Sequence, residues 1–227
     1  MSVKTYSLKK DGNSKVSEHF KIREFRCKDG SDEILIADEL PKKALEPLRN
    51  ALNKKYSQEV KINIISGYRT KSHNESVGGS STSKHLNGKA ADIECVTGDK
   101  IIPSKTVCCI AQDLDLEGIA YINNDRTHID VRGSKWWTDE TKNNKKISDF
   151  YAYFGIDYPE PTKTVKRGNK GTDVRWVQSK LNQFGFKLSV DGSCGPATDK
   201  AIRQFQKNKK LQIDGRVGPA TRAALKK

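Results

Sequence analysis

Hydrophobic positions along the chain change their period several times, and the changes outline its architecture. In ALEPLRNALNKKY (44–56), Leu45, Leu48 and Leu52 recur at helical spacing on one face, and Pro47 fits only near a helix start or at a kink. VKINIIS (60–66) is β-branched and predicts a strand, SGYRT (66–70) follows, and VGGSSTS (77–83) is a Gly/Ser-rich loop. DIECV (92–96) reads as a strand, SKTVCCIAQDL (104–114) as a helix and GIAYI (118–122) as a further strand. THIDVRG (127–133) alternates residue by residue, the period of a strand with two unlike faces. Residues 1–157 are therefore expected to form a mixed α and β domain.

The pattern breaks at Tyr158, Pro159, Glu160, Pro161 and Thr162. Two prolines two residues apart exclude helix and favour an extended connector, so residues 158–164 are expected to be a linker. Beyond it lies a repeat: VDGSCGPATDKAI (190–202) recurs as IDGRVGPATRAAL (213–225). Each copy is an apolar residue, an Asp-Gly turn and a Gly-Pro pair that opens a helix. Val174, Val177, Leu181 and Phe184 form one helical stripe, and Ala201 and Phe205 another, so residues 165–227 predict a compact three-helix bundle.

Charge sharpens this division. Residues 1–160 carry 26 Lys+Arg against 24 Asp+Glu, whereas residues 161–227 carry 16 against 4, so almost all of the net +14 belongs to the last third. Such a field attracts polyanions, among them nucleic acid, acidic lipid and an anionic cell wall. There is no run of about 18 apolar residues to insert into a membrane, and the lysines of MSVKTYSLKKDGNSK precede no apolar stretch. Synthesis in the cytoplasm without a signal peptide is the expectation. The five cysteines (Cys27, Cys95, Cys108, Cys109, Cys194) are odd in number and lack CxxC spacing, which argues against a disulfide framework or a thiolate zinc knot. They are expected to pack as small hydrophobes.

Candidate chemistry centres on SKHLNGKAAD (83–92), where an imidazole is followed by small residues and then a carboxylate entering an apolar run. Of the four histidines, His19 and His73 lie in polar surroundings without evident partners, whereas His128 sits in the alternating strand. His85, Asp92 and His128 together offer two imidazoles and one carboxylate, a set that suits Zn²⁺ with one tetrahedral position left open. Gly88, Ala90 and Ala91 are expected to clear space for the metal.

Taken in order, SGYRT, SKHLNGKAADI and GIAYINNDRTHIDVRG resemble the zinc D,D-peptidase family M15. Its members include D-alanyl-D-alanine carboxypeptidases and phage L-alanyl-D-glutamate endopeptidases. EHFKIREFRCKDGSDEILI resembles the start of the subgroup found in Firmicutes and their phages. The second part, through GTDVRWVQSKLNQFGF, DGSCGPAT, AIRQFQ and DGRVGPAT, resembles the three-helix peptidoglycan-binding module of cell-wall hydrolases, with Cys194 where an apolar aromatic is more usual. The resemblance implies an α+β domain with an antiparallel sheet and flanking helices, of the hedgehog/D,D-peptidase type, followed by a small all-α domain. It implies that His85, Asp92 and His128 hold zinc, that Arg69 steadies the substrate carbonyl and its developing oxyanion, and that Ser83 binds substrate.

For the general base, Asp125, three before His128, matches an acid often found in the family; Asp130, on the same strand face as His128, is the rival or an orienting carboxylate. Trp136 and Trp137 either line the cleft or close the core, and Trp176 either stacks on sugar or packs at the core edge.

The implied function is hydrolysis of peptidoglycan stem peptides, as a phage or prophage endolysin of L-Ala-D-Glu endopeptidase or D-Ala-D-Ala carboxypeptidase type. Such an enzyme reaches the wall after release at lysis or by non-classical export. Peptidoglycan, and teichoic acid with it, is the expected partner of a monomeric chain. A catalytically inactive wall-binding protein is the alternative. Nucleic-acid binding would use the basic tail, but no DNA- or RNA-reading motif is present and the zinc set would go unexplained.

Overall fold

The structure is a computed structural model that describes residues 2–227 and divides between Phe154 and Gly155 into two units. In the first, a short hairpin-like sheet pairs β1 (Val3–Ser7) with β2 (Glu33–Ala37), and α1 (Leu8–Asp11) follows β1 directly. The main sheet has seven strands, β3 (Val60–Ser66), β4 (Ala90–Thr97), β5 (Lys100–Ile101), β6 (Gly118–Tyr121), β7 (Arg126–Asp130), β8 (Trp136–Asp139) and β9 (Lys145–Lys146). Its order is β3-β4-β7-β6-β8-β9 with β5 on β4. Every pairing is antiparallel except β6 with β8.

Period-2 patterning decides what each face of this sheet carries. The odd positions Ala91, Ile93 and Cys95 of β4 and Thr127 and Ile129 of β7 are buried. On that side α4 (Ser104–Asp113) packs against β4, β6 and β7, with α2 (Glu46–Tyr56) and α5 (Phe150–Phe154) beside it. Thr127 marks the contact, its hydroxyl 2.7 Å from that of Ser104 at the start of α4. The even positions, Asp92 on β4 and His128 and Asp130 on β7, turn to the opposite face. Helices thus cover one face, and the other keeps the polar residues.

The expected helix 44–56 contains Pro47 because α2 begins at Glu46, so the proline occupies the first turn, where its missing N–H is not needed. A π-helical turn, Leu40–Leu45, leads into it. β7 stops at Asp130 rather than running on to Gly133. All five cysteines are free and buried.

In the second unit α6 (Thr172–Gln183), α7 (Pro196–Asn208) and α8 (Pro219–Leu225) surround Val174, Val177, Leu181, Ile202, Phe205 and Val217. Pro196 and Pro219 open their helices after Gly195 and Gly218. The repeat seen in the sequence is also a repeat of hydrogen bonds. Gln178 on α6 donates to Asp191, to the Ser193 carbonyl and to Thr198 at 2.8–3.1 Å, and accepts from Gly192 N–H at 2.9 Å. Gln206 on α7 does the same with Asp214, the Arg216 carbonyl, Thr221 and Gly215 N–H, at 2.8–3.3 Å.

The proline-rich segment is folded onto this unit instead of hanging as a free connector. Tyr158 packs on the helical core, and Glu160 pairs with Lys226 at 2.8 Å. Trp176 is 4% exposed and packs with the helical core, and its edge lines a cavity with Tyr158, Ser179 and Lys180. No helix is long and apolar enough to cross a membrane among the described residues.

Candidate metal centre

His85, Asp92 and His128 are far apart in sequence and are brought together by three local devices. Asp92 and His128 are directly opposed across the β4–β7 ladder, where side chains on one face are neighbours. His85 arrives on a 3-10 turn, Lys84–Asn87, whose first amides are capped by Ser83: its hydroxyl accepts from His85 N–H at 3.4 Å. Gly88 ends that turn at φ +62°, and a Cβ there would lie 2.2 Å from the Leu35 carbonyl oxygen. Gly88 therefore serves the turn and the approach of β2, a correction to its expected role beside a metal.

The three functional atoms converge. His85 Nε2 lies 3.2 Å from Asp92 Oδ1 and 3.2 Å from His128 Nδ1, and His128 Nδ1 lies 2.8 Å from Asp92 Oδ1. The partners behind the rings decide where their protons are. His85 Nδ1–H donates to the Gly67 carbonyl at 2.7 Å, which leaves Nε2 a bare lone pair. His128 Nε2–H donates to Asp130 at 3.0 Å, which leaves Nδ1 bare. Two lone pairs and a carboxylate oxygen facing one another are three acceptors without a donor. A cation at this point, a proton or a metal ion, satisfies them.

The dimensions suit zinc. A tetrahedral site with bonds of about 2.0–2.1 Å has ligand atoms about 3.3 Å apart, close to the spacing seen here. The electrostatics agree in sign. Burial would lower the pKa of His128, but its hydrogen bonds to Asp130 and Asp92 and the charges of those carboxylates raise it to about 9. Burial would raise that of Asp92, but the charge of His85 and hydrogen bonds from both histidines hold it far below the usual carboxylate range. Positive charge is favoured at this point.

Around this trio the remaining residues fall into place. Arg69 donates through Nη2 to Asp92 Oδ2 at 2.6 Å and through Nε to Ser66 at 2.8 Å, so it fixes the carboxylate that presents Oδ1 to the cluster. Asp130 is 0% exposed and is gripped by both Nε and Nη2 of Arg132. Its burial depends on small neighbours: Ala90 and Gly118 are its cross-strand partners, and a Cβ on Gly118 would lie 2.1–2.2 Å from its carboxyl atoms. Arg132 in turn lies 4.0 Å from the ring centre of Trp136, which lines the cleft, whereas Trp137 is buried and donates to the Leu116 carbonyl.

The cluster opens into a cleft of about 550 Å³ bordered by Arg69, Ser83, Arg132, Trp136 and Glu140. Asp125 is not there. It is exposed in the turn between β6 and β7. Asp130 is also withdrawn, behind His128. The sequence reading missed Glu140, in the 3-10 turn after β8; no spacing signal points to it. Desolvation pushes its carboxyl pKa up, with the charges of His128 and Arg69 opposing and those of Asp92 and Asp139 adding. Of the other histidines, His19 pairs with Glu46 at 2.8 Å, a partner the sequence did not reveal, and His73 lies on α3 (Lys71–Ser76).

This site geometry coincides with a family match. Residues 18–130 match peptidase M15, and residues 170–225 match a putative peptidoglycan binding domain. The chain belongs to the M15 peptidases through its first unit. No curated protein matches it. Among solved structures it resembles a fused Zn-dependent amidase/peptidase/peptidoglycan-binding domain-containing protein from Clostridium acetobutylicum ATCC 824, at 40% identity over 29% of this chain and 29% of that one, with a TM-score of 0.28. A peptidoglycan-binding protein from Clostridioides difficile is 39% identical over 28% of this chain and 40% of that one, TM-score 0.28. A Burkholderia AP3 phage endolysin is 38% identical over 28% and 25%, TM-score 0.28. The chain thus spans less than half the length of each of these proteins.

Proposed function

We propose that this M15 peptidase is a zinc-dependent hydrolase of peptidoglycan stem peptides, of the endopeptidase or D,D-carboxypeptidase type, that works on the wall in the manner of an endolysin. The observation that carries the reading is the convergence of two imidazole nitrogens and a carboxylate oxygen at the floor of an open cleft. His85, Asp92 and His128 would hold the zinc, which when bound supplies a Lewis acid to polarise a scissile carbonyl and acidify a water.

The chain's own residues do the rest. Gly67 and Asp130 lock the two imidazole tautomers, and Arg69 holds Asp92 in register. The Arg69 guanidinium also borders the cleft, where a planar cation suits a developing oxyanion or a terminal carboxylate. Ser83 and Trp136 flank the space left for peptide. The second unit, with six acidic against 16 basic residues over 155–227, would hold the enzyme to an anionic wall through peptidoglycan and teichoic acid.

Mass spectrometry of purified peptidoglycan after digestion tests this directly. Zinc-loaded protein should release muropeptides with new termini that name the bond, and a chelator should stop the release. Intact stem peptides after digestion by zinc-loaded protein would leave only the wall-binding alternative.

A further inference from the structure

A second cavity, of about 240 Å³, opens beside the metal cleft and shares Arg69, Val77 and Asp92 with it. Its chemistry is different. Lys28, His73 and Arg126 line it together with Arg69. Among the described residues, Asp92 is the only acid on its wall, and the side chains of Lys28 and Arg126 have no hydrogen bond or ion pair. Asp92 is already committed, Oδ1 to the trio and Oδ2 to Arg69.

The carboxylates nearby do not fill the recess. Asp29, next to Lys28, accepts from the Thr70 hydroxyl at 2.5 Å and from Ser31 at 2.7–2.9 Å. Glu94 stands across the β4–β7 ladder from Arg126 but lies outside the cavity wall. Two basic side chains are thus left facing a space that adjoins the metal ligands.

Each cation is carried by backbone that is held in place. Arg126 opens β7, two residues before His128; its carbonyl accepts from the Ser104 hydroxyl at 2.8 Å, and its N–H donates to Asn123 at 2.9 Å. Lys28 follows Cys27, whose sulfur accepts from Thr70 N–H at 3.4 Å, which ties its loop to the segment that carries Arg69. His73 lies in the first turn of α3, where its N–H donates to the capping Thr70 hydroxyl at 3.1 Å.

We propose that this cavity is a carboxylate subsite, in which Lys28 and Arg126 hold a free carboxylate of the peptide and so set the scissile bond over the metal ligands. The inference rests on the hydrolase reading above and adds the substrate feature that reading leaves open. Both bond types keep such a group within reach. At an L-Ala-D-Glu bond the carboxylate of the glutamate lies beside the cut, and at a D-Ala-D-Ala bond the terminal carboxylate does. A guanidinium fork and an ammonium suit a carboxylate far better than a neutral amide. Lys28 and Arg126 are both exposed, so each contact is weak by itself and the pair acts together.

The experiment compares the parent with a Lys28→Gln/Arg126→Gln double variant, each zinc-loaded and checked by elemental analysis, on three matched stem peptides. One has both carboxylates free, one has the glutamate α-carboxylate amidated, and one has the terminal carboxylate amidated. For the parent, one of the two amidations should lower kcat/KM about tenfold, chiefly through KM, and the sensitive position names the carboxylate that is bound. The double variant should lose about tenfold on the free peptide and cut the sensitive amide at the parental rate, so that the two losses do not add. A variant that loses equally on all three peptides would overturn the assignment, and so would a parent indifferent to both amidations. A parent that cuts nothing would instead sink the hydrolase reading. The Kd values of the uncut peptides, measured by titration calorimetry, would then decide the subsite: tighter binding of the free acid by the parent alone supports it, and equal values overturn it.

Discussion

The two units bury polar side chains for opposite ends. In the helical unit, Gln178 and Gln206 are each 1% exposed and have partners on every side: two or three acceptors for the amide N–H groups and one backbone N–H for the oxygen. That network closes within the chain. In the sheet unit, His85, Asp92 and His128 are equally well supported from behind, by Gly67, Arg69 and Asp130, yet their front atoms are all acceptors. That network closes only when a cation is added. Both are buried polar clusters, and counting donors against acceptors separates the one that holds a fold together from the one that holds a ligand.

The largest expected effect comes from breaking the open network. His128→Ala should purify with almost no zinc against about one per chain in the parent, measured by elemental analysis. Linkage predicts that metal present at about a thousandfold over its Kd stabilises the sheet unit by about 4 kcal/mol. A chelator should therefore lower the unfolding midpoint of residues 1–154 and leave that of the helical unit unmoved. Equal loss in both units would erase the distinction.

Breaking the closed network should cost less and fall elsewhere. Gln206→Ala strands Asp214, the Arg216 carbonyl, Thr221 and Gly215 N–H at once, and should destabilise the helical unit by about 2–4 kcal/mol. Denaturant unfolding of the full chain should show that transition shift while zinc content stays at the parental value. The smallest effect belongs to the support behind the open network. Asp130→Asn keeps the shape but weakens the acceptor that holds the His128 tautomer, and zinc affinity should fall about 10–100-fold in competition with a chromophoric chelator.

The sequence made these networks unequally legible. Rare residue types gave the ligand trio away, because His85 and His128 are half of all the histidines and the strand period put His128 and Asp130 on one face. The strands 60–66 and 118–122 and the helix 104–114 followed from branching and periodicity. The spacing that singles out Asp125 says nothing of its setting, an exposed turn just before β7. Glu140 gave no signal at all, since its approach to the cleft is set by the parallel β6–β8 pairing, a tertiary fact. Trp176 lies off the simple apolar stripe and is buried all the same, because the packed unit encloses more of α6 than one stripe suggests.

Gly118 gives the sheet a particular map of vulnerability. It lines no wall of the metal cleft and stands at the first position of β6. Its missing side chain is the volume that the Asp130 carboxyl occupies. A methyl group there would displace Asp130, Asp130 would release the imidazole of His128, and the loss would reach the cluster sideways through two hydrogen-bonded strands. A screen for inactive variants should consequently return a stripe across the sheet as well as a ring around the cleft, with β6 contributing an inactivating position that no docking of substrate would ever single out.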